Sequence, residues 1–119
     1  LHEAAVTGHV AICELLLRRP DIDVNQLNEH GSTALSRAVV NRHVGVVELL
    51  LQHPDINVNQ TNLQQETALH LAAEQGHVPV TNLLLQHPDV DMNQETGFGQ
   101  TALSLAAKKG HLHVTELLL

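Results

Sequence analysis

A single register of 34 residues runs through the whole chain, and no other feature restricts the fold as much. Leu15-Leu16-Leu17 returns as Leu49-Leu50-Leu51, Leu83-Leu84-Leu85 and Leu117-Leu118-Leu119, each 34 residues on. His9, His43, His77 and His111 keep that spacing, as do Ala4, Ala38, Ala72 and Ala106. Pro20, Pro54 and Pro88 recur with it, and so do Asn25, Asn59 and Asn93 and the threonines Thr33, Thr67 and Thr101. One 17-residue segment followed by three units of 34 accounts for all 119 residues. Fixed-period self-similarity of this length is the mark of a solenoid. Residues 1–119 are therefore read as one repeat domain, with units at 1–30 (partial), 31–64, 65–98 and 99–119 (partial). Because the register begins and stops inside a unit, a longer parent protein is expected.

Each unit has helical periodicity. In the third, Leu69, Ala72 and Ala73 fall at i, i+3, i+4, and so do Val80, Leu83 and Leu84. Gly76 parts the two segments as a helix-terminating glycine does. Pro79 stands where a second helix begins, a place that needs no N–H, and Pro88 closes it. Thr67 is placed to cap the first helix. A polar stretch with two glycines then leads from Pro88 to Thr101. The unit reads as helix, tight turn, helix, long loop, and helices this short hold only by stacking on their neighbours.

Glu66-Thr67-Ala68-Leu69-His70-Leu71-Ala72-Ala73-Glu74-Gln75-Gly76-His77, followed by Leu83-Leu84-Leu85, resembles the ankyrin repeat, whose signature runs T-P-L-H-x-A-A-x-x-G-H…LLL. The resemblance covers essentially the whole chain. It implies an all-α repeat solenoid: an ankyrin-like stack of four helix-turn-helix pairs joined by three long β-hairpin-type loops. Departures are specific. Ala34, Ala68 and Ala102 replace the signature proline, and Ser36 and Ser104 replace its first histidine, which puts that histidine's hydrogen bond in doubt in those units. The period is 34 instead of the usual 33, and the extra residue falls in the loop Pro54-Asp55-Ile56-Asn57-Val58-Asn59, where it is easily absorbed. Arg37 takes a usual leucine position and Arg42 the turn glycine, where a positive φ would cost on the order of 1 kcal/mol.

Composition removes several classes of function. Thirteen Asp and Glu against six Lys and Arg give a net charge of −7, the wrong sign for gripping nucleic acid. No apolar run approaches the ~18 residues of a membrane span, and no signal pattern opens the chain. Cys13 is alone, so no internal disulfide forms. The expected location is the cytoplasm, or a host-cell cytosol were the parent a microbial effector, since the 34-residue period resembles microbial arrays. Neither Trp nor Tyr is present and Phe98 is the sole aromatic, so the core must be aliphatic.

Ten histidines invite a metal site, but the Gly-His positions and the pair His2 and His70 are spread one unit apart along the stack. His111 and His113, at i, i+2 on a helix, face different ways, whereas zinc needs about four convergent ligands. No metal and no cofactor are expected. Charging all ten would take the formal charge from −7 to +3, so solubility or stability should respond near pH 6. Cys13 lacks a basic neighbour and reads as a packed residue, while Ser36, Ser104 and Thr33 occupy repeat positions. Asn59-Gln60-Thr61 matches a glycosylation acceptor, but Asn59 is the repeat's loop asparagine and is read as bonding the loop backbone. Gly97-Phe98-Gly99 is too short to cradle phosphate. No enzyme is expected.

Binding of another protein remains. Aligned by 34, the stretches that change most are the loop tips 28–32, 62–66 and 96–100. The ankyrin resemblance makes these tips β-hairpin fingers and gives them, with the exposed side of each first helix, a concave groove. The partner-contact residues it implies are Glu29, His30, Ser32, Leu63, Gln64, Glu66, Phe98 and Gln100 in the fingers. On the helices they are Val40, Asn41, Glu74, Gln75, Lys108 and Lys109, with Val6 and Thr7 at matching positions. Phe98 is either an interface anchor or a lid folded onto the next loop near Leu63. Glu29, Glu66 and Glu95 against Lys108 and Lys109 grade the groove from acidic to basic, complementary to a segment that is basic in its middle and acidic at the C-terminal end. Two alternatives stand beside a non-catalytic interaction module: a substrate-recruiting arm of a larger enzyme or effector, and a structural spacer. Leu1, Val6 and Val10 at one end and Leu112 or Leu117 at the other should be apolar and open. That predicts moderate stability and weak end-to-end self-association.

Overall fold

The computed structural model describes all of residues 1–119 and contains eight helices: α1 (His2–Thr7), α2 (Val10–Leu17), α3 (Ala34–Val40), α4 (Val44–Leu51), α5 (Ala68–Gln75), α6 (Val78–Gln86), α7 (Ala102–Lys108) and α8 (Leu112–Leu118). They form four helix pairs. The first helices α1, α3, α5 and α7 pack in one row and the second helices α2, α4, α6 and α8 in another, each helix touching its own partner and the same helix of the next unit. The stack measures 39 × 25 × 25 Å. No helix is long and apolar enough to cross a membrane.

Each first helix but α1 begins at a threonine in a reciprocal capping box. Thr33, Thr67 and Thr101 accept from the N–H of Ser36, His70 and Ser104, whose side chains accept in return from the threonine N–H. Serine therefore replaces histidine without losing the box. It does lose the longer reach: Nε2 of His70 donates to Gln94 O at 2.8 Å, and Nε2 of His2 to Gln26 O at 2.8 Å, contacts a serine is too short to make. Left-handed turns follow the first helices at Gly8 and Gly76, and at Arg42 with φ of 59°. Pro79 lies in the first turn of α6, as its missing N–H allows.

The core is aliphatic throughout. Leu50, Leu84, Val39, Val46, Val47 and Val80 are fully buried, and alanines at 38, 72, 73 and 106 let neighbouring helices approach closely. Burial of one such Leu or Val side chain contributes about 1.5–3 kcal/mol. Val24 and Val58 pin the loops beneath the stack. Above them the asparagines act as clasps. Asn25 Nδ2 donates to Asp55 O at 2.8 Å while its Oδ1 accepts from Asn57 N at 2.7 Å. Asn59 repeats this with Asp89 O and Asp91 N at 2.8 and 2.9 Å, which is the backbone role expected of it.

Two expectations need correction. The loops contain no strand. Each tip is a tight turn closed by two backbone bonds on its first residue: Asn28, Asn62 or Thr96 donates its N–H to Ser32 O, Glu66 O or Gln100 O and accepts at its carbonyl from Gly31 N, Gln65 N or Gly99 N. The side chain of its first residue then accepts two amides that a ladder would have paired: Asn28 Oδ1 takes His30 N and Ser32 N, Asn62 Oδ1 takes Gln64 N and Glu66 N, and Thr96 Oγ1 takes Phe98 N and Gln100 N. At the ends, Val10 and Leu112 are exposed as foreseen, but Leu1, Val6 and Leu117 are half-buried; Ile12 and Leu15 at one end and Leu119 at the other are open instead.

Candidate functional site

The three turns project side chains of matched register. His30, Gln64 and Phe98 occupy one position in successive fingers and all are exposed. Phe98 is 87% exposed, so it does not fold down as a lid. Leu63 is the residue that does cover a neighbour. Gly31, buried at the preceding fingertip with φ of 74°, is so close beneath Leu63 that a Cβ there would lie 2.3 Å from Leu63 Cγ. Leu63 still leaves 71% of its surface open. Finger three is tied to finger two by the amide of Gly97, which donates to Gln64 O at 3.4 Å. Gln65, at the position of Gly31 and Gly99, takes φ of 61°. Alignment with those two glycines was a readable signal of that strain.

A cleft of about 170 Å³ opens between the second and third fingers, lined by Gln64, Glu66, Glu74, Thr96, Phe98 and Gln100 with Leu105 among them. It unites five of the expected contact residues: Gln64, Glu66, Glu74, Phe98 and Gln100. Glu66 is steered by Asn62 Nδ2 at 3.1 Å. Glu74 lies 3.8 Å from Lys109 Nζ, a half-exposed pair of little energetic weight. That pairing blunts the charge gradient expected along the groove, because Lys109 partly answers an acid of the preceding unit. Lys108 is exposed and has no acidic partner. An aromatic face with two carboxylates beside it suits a cation: the ring face attracts it electrostatically and the carboxylates match its charge.

At the other end of the groove, a second cleft is lined by His2, Glu3, Val6, Asn28, His30, Ser32 and Arg37. It gathers His30 and Ser32 from the expected set. Sequence reasoning noted Arg37 as an oddity without assigning it to the groove; a basic residue replacing a repeat leucine was the signal. His2 Nε2 also contacts Ser32 O at 3.1 Å, so Ser32 carries a structural duty. Glu29 is exposed, and the nearest side chain to its carboxylate is the exposed His30 ring, at 3.6 Å.

Between the clefts the helix residues are partly spent on the stack itself. Gln75 Nε2 donates to Val40 O at 2.9 Å, and Asn41 Nδ2 to Arg37 O at 2.8 Å. Val40 and Gln75 are half-buried while Asn41 is exposed. Elsewhere Val40's carbonyl would be served by a histidine, since His43 Nε2 donates to Val6 O at 2.7 Å and His111 Nε2 to Glu74 O at 2.8 Å. Those two rings rest against Gly8 and Gly76, where a Cβ would fall 2.6 and 2.4 Å from the ring nitrogen. Arg42 brings a Cβ to the same place. His77 is displaced, its Nδ1 accepting instead from Val80 N at 3.2 Å, and Gln75 takes over the carbonyl. Burial first, and the Arg42 guanidinium second, hold the His77 imidazole below its ordinary pKa.

No three His, Cys, Asp or Glu side chains gather where they could hold a metal ion. Cys13 is fully buried and burial raises its thiol pKa, which disfavours the thiolate. Two further depressions lie between successive second helices, around Leu17 and Leu49 and around Leu51 and Leu83, and are open and lined by repeat positions. A family model for ankyrin repeats, three copies long, matches residues 1–62 and again 54–119. No curated protein matches the chain.

Proposed function

The chain belongs to the ankyrin-repeat family, whose members generally bind other proteins and are typically not catalytic, and from that premise we propose that it is a non-catalytic module that holds a partner protein in the groove between its fingers and first helices. The observation that carries the reading is Phe98: the one aromatic of the chain, 87% exposed at a fingertip, beside a cleft with Glu66 and Glu74 on its wall. A spacer gives that side chain no purpose. The partner chemistry this cleft fits is a Lys or Arg side chain on an extended or loop segment, its charge facing the two carboxylates and its stem on the ring. Around this centre Leu63, Gln64 and Gln100 contribute area, His30, Glu29 and Ser32 extend the surface toward the first finger, and Val40, Asn41 and Gln75 form its floor. Lys108 and Lys109 favour an acidic continuation of the partner past α7. Residence in the cytosol, where Cys13 stays reduced, belongs to the same proposal.

The test is a pair of labelled peptide pools, one Lys/Arg-rich and one Asp/Glu-rich, titrated by anisotropy against the wild type, Phe98→Ala, and Glu66→Gln with Glu74→Gln. The basic pool should bind more tightly, and less so as salt rises. Phe98→Ala should weaken it about tenfold, a usual loss for an aromatic anchor. The paired carboxamide variant should flatten the salt dependence. No preference between the pools, or binding indifferent to both variants, refutes the reading.

A further inference from the structure

The two clefts of the groove are the same place in the repeat, two units apart. Glu74, Phe98 and Leu105 of the second cleft stand in register with Val6, His30 and Arg37 of the first. Arg37 is the decisive exchange. Its counterparts Leu71 and Leu105 are half-buried and buried, as suits an apolar repeat position. Arg37 is half-buried too, yet its guanidinium enters none of the ion pairs of the protein. Only its main chain is hydrogen-bonded, the carbonyl accepting from Asn41 Nδ2 at 2.8 Å. Ser32, on the same wall, also engages the chain through its main chain alone, which leaves its hydroxyl as a second donor. The one acid of this cleft, Glu3, is exposed on α1 and forms no ion pair with Arg37. Its charge favours an anion held on the finger side of Arg37, away from α1. Ser32 and Arg37 belong to one continuous stretch, a finger running into α3, and α3 packs between α1 and α5. The second cleft has a finger on either side, Gln64 and Glu66 from one and Phe98 and Gln100 from the other, and is still open. Openness at this register is therefore a property of the repeat and needs no missing neighbour.

Packed helices of adjacent units lie about 8–10 Å apart, so two units separate the clefts by about 16–20 Å. An extended chain rising ~3.3 Å per residue covers that in about five or six residues. We propose that the first cleft binds a carboxylate, and that the partner carries an Asp or Glu at this spacing from the Lys or Arg held beside Phe98. The proposal rests on the cation reading of the second cleft and adds the partner's second anchor. Arg37 grips the carboxylate through the fork of its guanidinium, whose paired N–H groups match the two oxygens, and Ser32 Oγ supplies a further donor. Two sites of opposite sign select partners by charge order: a uniformly basic segment satisfies Glu66 and Glu74 but sets a like charge against Arg37. Lys108 and Lys109 lie beyond the second cleft, on its other side, and take no part in this selection.

Labelled peptides of one composition, titrated by anisotropy, read the proposal directly. Each carries a Lys-Arg pair and a Glu pair in a neutral Ser/Gly background. The Glu pair stands beside the basic pair in one isomer, and at the spacing of the two clefts in two others, one for each chain direction. A reference peptide has Gln in place of Glu. One of the spaced isomers should bind about tenfold more tightly than the adjacent isomer, the size of a charge-assisted hydrogen bond. Arg37→Leu should abolish that difference and leave the affinity of the reference peptide unchanged. Leucine is the repeat residue at this position, so the variant should melt no lower than the wild type, which separates lost recognition from lost fold. Equal binding of the isomers, or a preference that survives Arg37→Leu, overturns the proposal; the cation cleft stands if the reference peptide is still weakened by Phe98→Ala. A reference peptide indifferent to Phe98→Ala overturns the cleft reading and this proposal with it.

Discussion

Arg42 shows how much one side chain can redirect in a repeat. Its left-handed backbone is strained for a residue with a Cβ, by about 1 kcal/mol relative to glycine. That Cβ also occupies the space in which His43 and His111 rest their rings on the glycines of neighbouring units. The strained backbone was readable from alignment alone, since Arg42 falls in register with Gly8, Gly76 and Gly110. The consequence for His77 was not, because it depends on a ring in the next unit, 35 residues away, touching that atom. Arg42→Gly should therefore raise the melting midpoint by about 3–6 °C, as ~1 kcal/mol does for a domain of this size, measured by circular dichroism. The same variant should alter the response to acid. Folded His77 takes up a proton only below its ordinary value of 6.5, so between that value and its lowered folded one the unfolded chain binds more protons. Its contribution to stability is complete above 6.5 and is lost as the pH falls through that window. Urea midpoints at pH 7.5 and 5.5 should show a smaller drop in Arg42→Gly than in the wild type, because the guanidinium is one of the two groups that disfavour the charged ring. An equal drop would assign the whole shift to burial.

Among the elements, the loops contribute more to holding units together than their polar composition conveys. The helices, their caps and the left-handed turns follow from local rules, so Thr67, Gly76 and Pro79 could be placed from neighbours a few residues away. The fingers could not. Whether Asn28, Asn62 and Thr96 leave amides for a strand ladder or bind those amides themselves is settled by a competition within five residues. Here the side chains win. Asn59 belongs to the intermediate case: its bonding to the loop backbone was readable, whereas its partner lying in the next unit was not. The repeat supplies its own control for this clasp. Asn59→Ala removes two hydrogen bonds that cross a seam and strands the groups they served, which should destabilise the protein by about 1–3 kcal/mol. Asn93→Ala removes the equivalent side chain where it is exposed and makes no hydrogen bond within the chain, and should change the stability by less than about 0.5 kcal/mol. Chemical denaturation of the two variants side by side makes the comparison. Equal losses would mean that the asparagine acts through its own turn and not across the seam.

Across the whole molecule, stability is a sum over pairs and seams, and the two kinds of pair differ in how many seams they share. The middle pairs α3–α4 and α5–α6 are covered on both sides, whereas α1–α2 and α7–α8 each present one open side. In a stack whose units touch only their neighbours, that asymmetry sets where opening begins. The repeat positions allow the asymmetry to be measured with one chemical change made twice. Leu50 and Leu16 are equivalent in register, but Leu50 is fully buried between two units while Leu16 is half-open at the end. Leu50→Ala should lose the transfer term and leave a cavity, about 2–5 kcal/mol. Leu16→Ala should cost under about 1.5 kcal/mol, because the site is already partly wet and can collapse without a void. Amide exchange should report the same order in the wild type at low concentration. Protection should be greatest for the amides of α4 and α5 and least in α1, α2 and α8, whose opening breaks one seam instead of two. Uniform protection along the stack would show that the four pairs open as one unit, and that the seams are stronger than the pairs they join.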